Sequence, residues 1–412
     1  MAERVVTAAA TIPAPVRAWE RLPVAARIAV IYVAARLVTT GFFLLASALS
    51  GPGSRYGIAP SLGELALGWD AQWYWFAAVS GYPEHLPITT TGHVAENAWA
   101  FMPLYAFLSA GLGSLLGSWA AGAVAISLAS GYGASVMLYA LLRERIGGSA
   151  AMWAVVFFAS GPLAALFQIG YAEALFLFLL FVALWCVQRR RWGWLYLLVP
   201  VMGFTRPGIL AFALFLGLYG IHRFVRRRTE ALRTAEVVHI VALGVLSSVV
   251  GFAWQGIAAV VTGDSGAYLA TELAWRRNWI ADAGGGFVPV EGWVQGAQFW
   301  FTQWGPGPVA GVVALVLLVG GVTVALVVLP QVRKLGIELR LWSASYLIYL
   351  LLVFFPQSSI FRLLVPVSPL WGALAVPPSR AWRLGVLAVA LLGQWWWIYN
   401  MYALGNTFWQ IP

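Results

Sequence analysis

The sequence predicts an all-α, polytopic membrane protein, and three observations carry that prediction. Of 412 residues, 61% are hydrophobic and only 10% are charged, against about 25% charged in a soluble domain. Mean hydropathy is +0.81. The apolar residues run on in stretches, where an outer-membrane barrel would alternate them with polar ones. An ordinary soluble enzyme, a disordered chain and a coiled coil are excluded by the same composition. At roughly 20 residues per crossing, the length allows about ten or eleven spans.

In chain order, the spans are predicted at 28–49, 119–142, 150–167, 172–187, 192–205, 208–222, 237–261, 306–329, 341–355, 363–377 and 385–402. The first starts only near Arg27 and is long enough to cross, so it is read as a span and not as a cleavable leader. Several of the others are shorter than the usual 17–25 residues; Gly- or Pro-interrupted spans are tolerated where they line a cavity in the protein. The stretch 101–117 is also apolar, and charge decides its place. If it does not cross, nineteen of the 25 basic residues fall on one side, including Arg189, Arg190, Arg191, Arg226, Arg227 and Arg228. That side is then cytoplasmic by the positive-inside rule. The stretch 101–117 is therefore expected to be a re-entrant or interfacial helix on the outer face.

This topology gives a cytoplasmic N-terminus over 1–27 and one transmembrane domain over 28–412. Within the domain lie a first outer loop at 50–118 and a second long one at 262–305. Both loops are rich in Trp, Tyr and Gly. Loops longer than about 15 residues in compact proteins are usually functional or disordered, and the tryptophans argue against disorder. Function is expected on the outer face. The excess of arginine is loop charge and not a nucleic-acid patch, since no aromatic-interleaved basic stretch occurs. Cys186, the single cysteine, excludes internal disulfides and a cysteine metal site.

The chemistry-bearing residues lie in the first loop. It reads Gly68-Trp69-Asp70-Ala71-Gln72-Trp73-Tyr74-Trp75, then Gly81-Tyr82-Pro83, then Glu96-Asn97-Ala98-Trp99-Ala100-Phe101-Met102-Pro103-Leu104-Tyr105. A carboxylate among large aromatics is partly desolvated, which raises its pKa and makes Asp70 a better base near neutral pH. An interfacial aromatic belt with an incidental acid explains the same residues. Arg206 and Arg362 each sit at the outer end of a span; a guanidinium takes phosphate oxygens as a fork, or snorkels to headgroups. Arg276 and Arg277 are weaker candidates of the same kind. Arg36, inside the first span, has a structural role or pairs with an acid or a lipid phosphate. Glu173 opens a span beside Tyr171 and Gln168 and would face the same cavity, holding an arginine or sugar hydroxyls, or stabilised by the helix dipole. Glu96 and Asn97 are placed to cap the re-entrant segment. His85 and His93 lack a clustered third ligand, so no zinc site is expected. Asp282-Ala283-Gly284-Gly285-Gly286 lacks the Lys-Ser/Thr of a phosphate loop. The stripe Gln394 to Tyr399 reads as an interfacial anchor or a wall of a lipid channel.

The Trp-Asp with its aromatic cluster, Gly81-Tyr82, Glu96 and Ala100-Phe101-Met102-Pro103-Leu104-Tyr105 resemble the glycosylphosphatidylinositol mannosyltransferase II (PIG-V) family, part of the GT-C superfamily. Later echoes are Tyr171-Ala172-Glu173-Ala174-Leu175-Phe176, Thr205-Arg206-Pro207-Gly208-Ile209 and Phe361-Arg362. The family's Phe-Phe-Pro is Phe101-Met102-Pro103 here. Its His after Trp-Asp is replaced by Trp73 and Tyr74, and its Arg-Ser-Asn-Gly by Arg206-Pro207-Gly208. The resemblance implies a GT-C fold and Asp70 as catalytic base. It implies a polyprenyl-phosphate sugar donor, with a hexose, mannose first, passed to a glycolipid, polysaccharide or protein acceptor with inversion. Arg206 and Arg362 are then expected to bind the donor phosphate, and Trp69, Gln72, Trp73, Tyr82, His85, Glu96, Tyr171 and Glu173 the substrates. No cofactor or metal is expected. Arginine in place of lysine, with abundant Ala and Gly, suggests a high-GC, actinobacterial-type genome and hence a bacterial plasma membrane. The rival expectation is a multi-helix transporter or a lipid-linked-sugar flippase. Transporters are often built from internal repeats, and the sequence has none.

Overall fold

The structure, a computed structural model, describes Trp19 and residues 21–280, 288–407 and 409–412. The segment Asp282 to Gly286 and the terminal Glu3, Arg4, Arg17 and Glu20 lie outside the described residues. The helices are α1 (Val24–Leu49), α2 (Leu62–Ala66), α3 (Asp70–Ser80), α4 (Pro103–Leu116), α5 (Trp119–Ile146), α6 (Gly148–Ala159), α7 (Glu173–Gln188), α8 (Trp192–Gly203) and α9 (Ile209–Val225). They continue with α10 (Thr234–Thr262), α11 (Ala267–Arg277), α12 (Glu291–Gln303), α13 (Pro308–Val328), α14 (Pro330–Arg333), α15 (Ile337–Val353), α16 (Ile360–Leu363), α17 (Trp371–Ala375) and α18 (Arg380–Ile398). Among the described residues the only β pairing is an isolated bridge between Ile88 and Val94. The chain is an all-α polytopic membrane protein.

Among the described residues six helices have the length and apolarity to cross a bilayer, namely α1, α5, α9 with its 3₁₀ extension to Arg228, α10, α13 and α18 with its extension to Leu404. The other predicted spans are shorter or broken. The run 150–167 stops being α-helical at Ala159, and 363–377 is a 3₁₀ turn over Val365–Leu370 followed by α17. Prolines explain the second break: Pro366 and Pro369 have no N–H to donate and clash with the preceding turn. Buried Arg36 explains how the first is tolerated. Its guanidinium donates to the carbonyls of Ala159 and Ala164, just where α6 has lost its own donors, and faces the rings of Tyr32 and Phe167. Its partners are thus carbonyls and Gln168, not an acid.

α4 runs antiparallel to the first third of α5. Tyr105 donates to the Ala123 carbonyl, Trp119 donates to Ala106, and a Cβ on Gly122 would meet the Ser109 carbonyl at 2.3 Å. Both ends of α4 therefore lie toward one end of the bundle, and its 14 residues are too few to span. At the other end the ion pairs gather: Arg223 with Glu236 and Glu230, Arg190 with Glu236, Arg189 with Glu144, and Arg145 with Glu338.

The two long loops pack on each other. Arg277 donates to the Val94 carbonyl at 2.8 Å, Asn278 to Glu96 at 2.7 Å, Asn97 to Thr271 at 2.9 Å, and Trp254 at the end of α10 to Trp99 at 2.9 Å. Arg276 pairs with Glu291 and Gln295 inside the second loop. Arg277 thus ties the two loops together, and Arg276 ties the second loop to itself.

Candidate active site

Four charged side chains from four separate segments converge below the loops. Asp70 is the first residue of α3, and Glu173 the first of α7. Arg206 lies in the break between α8 and α9, and Arg362 in the single turn α16. Each position has a local cause. Gly68 must be glycine, since a Cβ there would meet the Tyr56 hydroxyl at 2.2 Å. Trp69 follows with φ 56 and ψ −124, and its ring is fixed on three sides. Its indole N–H donates to Met401 at 2.8 Å, Arg55 stacks at 3.9 Å, and Tyr56 stands edge-on. Gly208, at φ 131, makes the turn that starts α9, and the amide of Leu104 donates to Phe204 at 2.9 Å, tying the first loop to the Arg206 break. The Gly170 amide donates to Ala66 at 2.9 Å, and Ser127 to Tyr171 at 3.2 Å. These bonds fix the entry to α7 against the same loop.

Arg362 is ion-paired and hydrogen-bonded to Asp70, and its Nε lies 3.5 Å from Glu173. Arg206 lies 3.4 Å from the same Glu173 oxygen. The Tyr171 hydroxyl accepts from the Asp70 amide at 3.2 Å, and its ring lies 5.3 Å from the Arg362 guanidinium. Tyr346 donates to Leu363 at 2.8 Å and so braces α16. Burial raises the Asp70 carboxyl above its ordinary value, opposed by Arg362 and Arg206 and helped by Glu173. Arg206 Nη1, Arg362 Nε and the second Glu173 oxygen are buried with no hydrogen-bond partner among the described residues. Buried polar groups are nearly always paired, so these guanidinium N–H groups and the Glu173 oxygen leave hydrogen-bonding capacity unfilled inside the cluster.

An apolar groove of about 950 Å³ opens beside this cluster. Phe361 and Leu364, which flank Arg362, line it, as do Phe167 and Leu163 of the broken α6 connection. It runs along Val322 and Leu326 of α13 and Leu329 just beyond it, toward Val332 and Trp382. α13 buries only Gly311; it leans on α12 and stands off the bundle, which leaves the groove open.

The structure thus brings together Asp70, Tyr171, Glu173, Arg206 and Arg362. Trp73 lies beside them, stacked on Phe101 at 5.8 Å. The other residues proposed from sequence fall elsewhere. Trp69 is buried with its N–H bonded to backbone. Tyr82 donates to Phe101 and packs on Trp99, Glu96 holds Asn278, and Gln72 and His85 are exposed. Asn97 caps the 3₁₀ turn Ala98–Ala100 through Trp99. His93 is exposed, and His239 packs on Trp192 and Tyr196 at the opposite end. In the C-terminal stripe Trp397 is buried, and Gln394 donates to Gly161. Among the described residues no three His, Cys, Asp or Glu side chains gather as a metal-binding set. The sequence reading does not single out Glu272, which shares one helical face with Tyr268 and Trp275 by its spacing.

Among the solved structures that resemble this chain are three of an archaeal oligosaccharyltransferase from Archaeoglobus fulgidus. The structure with zinc and sulfate is 16% identical, with a TM-score of 0.44 over 87% of this chain and 52% of the other. The enzyme named AglB, in complex with an inhibitory peptide and a dolichol-phosphate, is 14% identical, with a TM-score of 0.39 over 92% and 56%. The form tethered to an acceptor peptide is 13% identical, with a TM-score of 0.42 over 92% and 56%. This chain spans about half the length of each. No protein-family model matches the sequence. No curated protein matches it.

Proposed function

We propose that this protein is an inverting glycosyltransferase of the GT-C type. It moves a hexose, mannose first, from a polyprenyl-phosphate donor to an acceptor hydroxyl on the extracytoplasmic face of a bacterial plasma membrane. The observation that carries the proposal is the buried Asp70–Arg362–Glu173–Arg206 cluster, with guanidinium donors left unpaired, beside an apolar groove lined by Phe361 and Leu364 on either side of Arg362. A lipid phosphate needs both parts: cations for its head and an apolar channel for its tail. The motif Trp69-Asp70, with its resemblance to the mannosyltransferase family, supplies the sugar.

In the reaction the acceptor oxygen attacks C1 of the sugar from the face opposite the phosphate. The C1–O bond to phosphate breaks and its electron pair leaves with the polyprenyl phosphate. The hydroxyl proton passes to the Asp70 carboxylate. Arg206 and Arg362 neutralise the charge that grows on the leaving phosphate, work suited to fixed donors in a water-poor site. Before donor binds, Arg362 holds Asp70; phosphate then competes for that guanidinium and releases the carboxylate to act as base. Glu173 keeps both arginines aimed. No metal or cofactor is part of the reading.

The test is Asp70→Asn in purified protein. The amide keeps the shape but takes no proton, and turnover should fall by about 10²–10⁴. Affinity for polyprenyl phosphate should hold or tighten, because Arg362 loses its competing carboxylate. Retained turnover would remove Asp70 from the mechanism.

A further inference from the structure

The second outer loop carries an acid that the reaction above does not use. Glu272 lies on α11 between Tyr268, one turn before, and Trp275, just under one turn after; the three share a face. Trp275 on that face meets Trp73 at 5.9 Å and Phe101 at 5.9 Å, edge-on in each case. The face therefore looks onto the aromatic side of α3, whose first residue is Asp70. Thr271, next to Glu272, is fully buried and receives the hydrogen bond from Asn97, which pins the helix to the first loop at this point.

Glu272 is exposed. Even so, crowding by protein raises its carboxyl to about 7; the Tyr268 hydrogen bond pulls the other way, and the charge of Asp70 adds to the rise. Asp70 lies one turn before Trp73 on α3, and Glu272 one turn before Trp275 on α11, so the two carboxyls flank the same Trp73–Trp275 contact. The groups facing Glu272 are Asp70 from α3, Tyr349 from α15 and Tyr268 from its own helix. Among the described residues no cation lies within ion-pair distance of it. Arg276 is taken by Glu291 and Gln295, and Arg277 by the carbonyls of Val94 and Ala270. Charge is thus divided between two walls around Asp70: two guanidinium groups on the α8–α9 and α16 side, and on the α11 side a carboxylate with no ion-pair partner among the described residues. A phosphate is attracted to the first wall and repelled by the second. A neutral hydroxyl compound suits the second, since a hydroxyl donates to a carboxylate in a charge-assisted bond.

We infer that Glu272 is a substrate-binding residue on the acceptor side of the site, accepting a hydrogen bond from the incoming acceptor and holding its reacting hydroxyl toward Asp70. This rests on the glycosyl-transfer reading. The roof helix α11 then selects the acceptor, while the membrane-level arginines select the donor.

The experiment uses the full-length protein in detergent, with radiolabelled decaprenyl-phosphate mannose as donor and octyl α-mannoside as acceptor. Glu272→Gln should raise the acceptor KM about tenfold, the loss expected for one charged hydrogen bond. The donor KM and the melting temperature should stay within error, and kcat should change less than the acceptor KM. In the wild type the acceptor KM should rise as pH falls through about 7, because the carboxylate takes up a proton and stops accepting; in Glu272→Gln that dependence should be flat. An unchanged acceptor KM in the variant overturns the inference, as does a fall in kcat alone. A wild-type protein that transfers no mannose from the donor overturns instead the glycosyl-transfer reading beneath it.

Discussion

Trp69 holds a backbone conformation that a bulky residue adopts only where its surroundings over-determine it. Those surroundings are visible: the Met401 carbonyl, the Arg55 guanidinium and the Tyr56 ring clamp the indole. Asp70 is the next residue, so the clamp aims it, and the Trp-Asp pair is one device, with the ring fixing the turn and the acid extending from it. The family resemblance makes the same tryptophan a substrate-binding residue, because a motif tells that an aromatic is present and not which way it faces. Arg206 and Arg362 are a different case, since their places at span ends were legible and the structure brings both to Glu173 beside Asp70. If they hold the donor phosphate, Arg206→Ala and Arg362→Ala should each weaken binding of polyprenyl phosphate by about tenfold to 10²-fold, the range for a lost charge-assisted bond in a dry site. Lys should rescue only in part, because it lacks the planar fork. Equilibrium binding of a fluorescent polyprenyl phosphate reads this directly. Unchanged affinity in both Ala variants would leave the phosphate without its proposed partners.

The elements that the sequence placed well are those whose apolar runs are long and unbroken, α1, α5, α10 and α13. Their ends fall within a few residues of the expected spans, since burial in lipid demands a full run of intrahelical hydrogen bonds. The elements it placed less well, 150–167 and 363–377, are apolar throughout but cannot stay helical. Hydropathy does not register Pro366 and Pro369, nor that Arg36 satisfies the carbonyls left by the end of α6. Those breaks line the groove, so the site's lipid side was the least visible part. The roof was hidden for another reason. α11 is polar and short, and only tertiary bonds such as Asn97 to Thr271 reveal that it covers α3. At the opposite end the helices are joined by charge. Arg223 is buried with Glu236 at 2.9 Å and also reaches Glu230 and the Ala231 carbonyl, closing the α9–α10 connection. Arg223→Ala would leave Glu236 buried with only Arg190, 3.6 Å away. Removing one partner of a buried pair commonly costs about 3–5 kcal/mol, and Arg190 offsets part of that. Thermal unfolding in detergent should show a clear drop in midpoint, whereas Arg227→Ala, at an exposed position, should leave it in place.

The whole molecule has two unlike ends. One carries the interlocked aromatic loops over the Asp70–Arg362 cluster. The other carries the arginine-rich turns at 189–191 and 223–233 with their carboxylate partners. The helices α5, α9 and α10 join those ends, so the ends lie on opposite sides of any membrane the bundle crosses. By the positive-inside rule the arginine-rich end, away from the site, is expected in the cytoplasm. The site is then expected to face out. The prediction is tested with single cysteines in a Cys186→Ser background, the native thiol being buried. Thr91, Ser265 and Thr229 are all exposed, the first two in the two long loops and the third in the arginine-rich turn. On intact cells a membrane-impermeant maleimide should label Thr91→Cys and Ser265→Cys. Thr229→Cys should react only after permeabilisation. Labelling of Thr229→Cys with the other two protected would invert the protein, and the glycosyl donor would have to be presented from the cytoplasm. Labelling of Thr91→Cys and Thr229→Cys from the same side would break the two-ended arrangement itself, because α5, α9 and α10 could not then be spans.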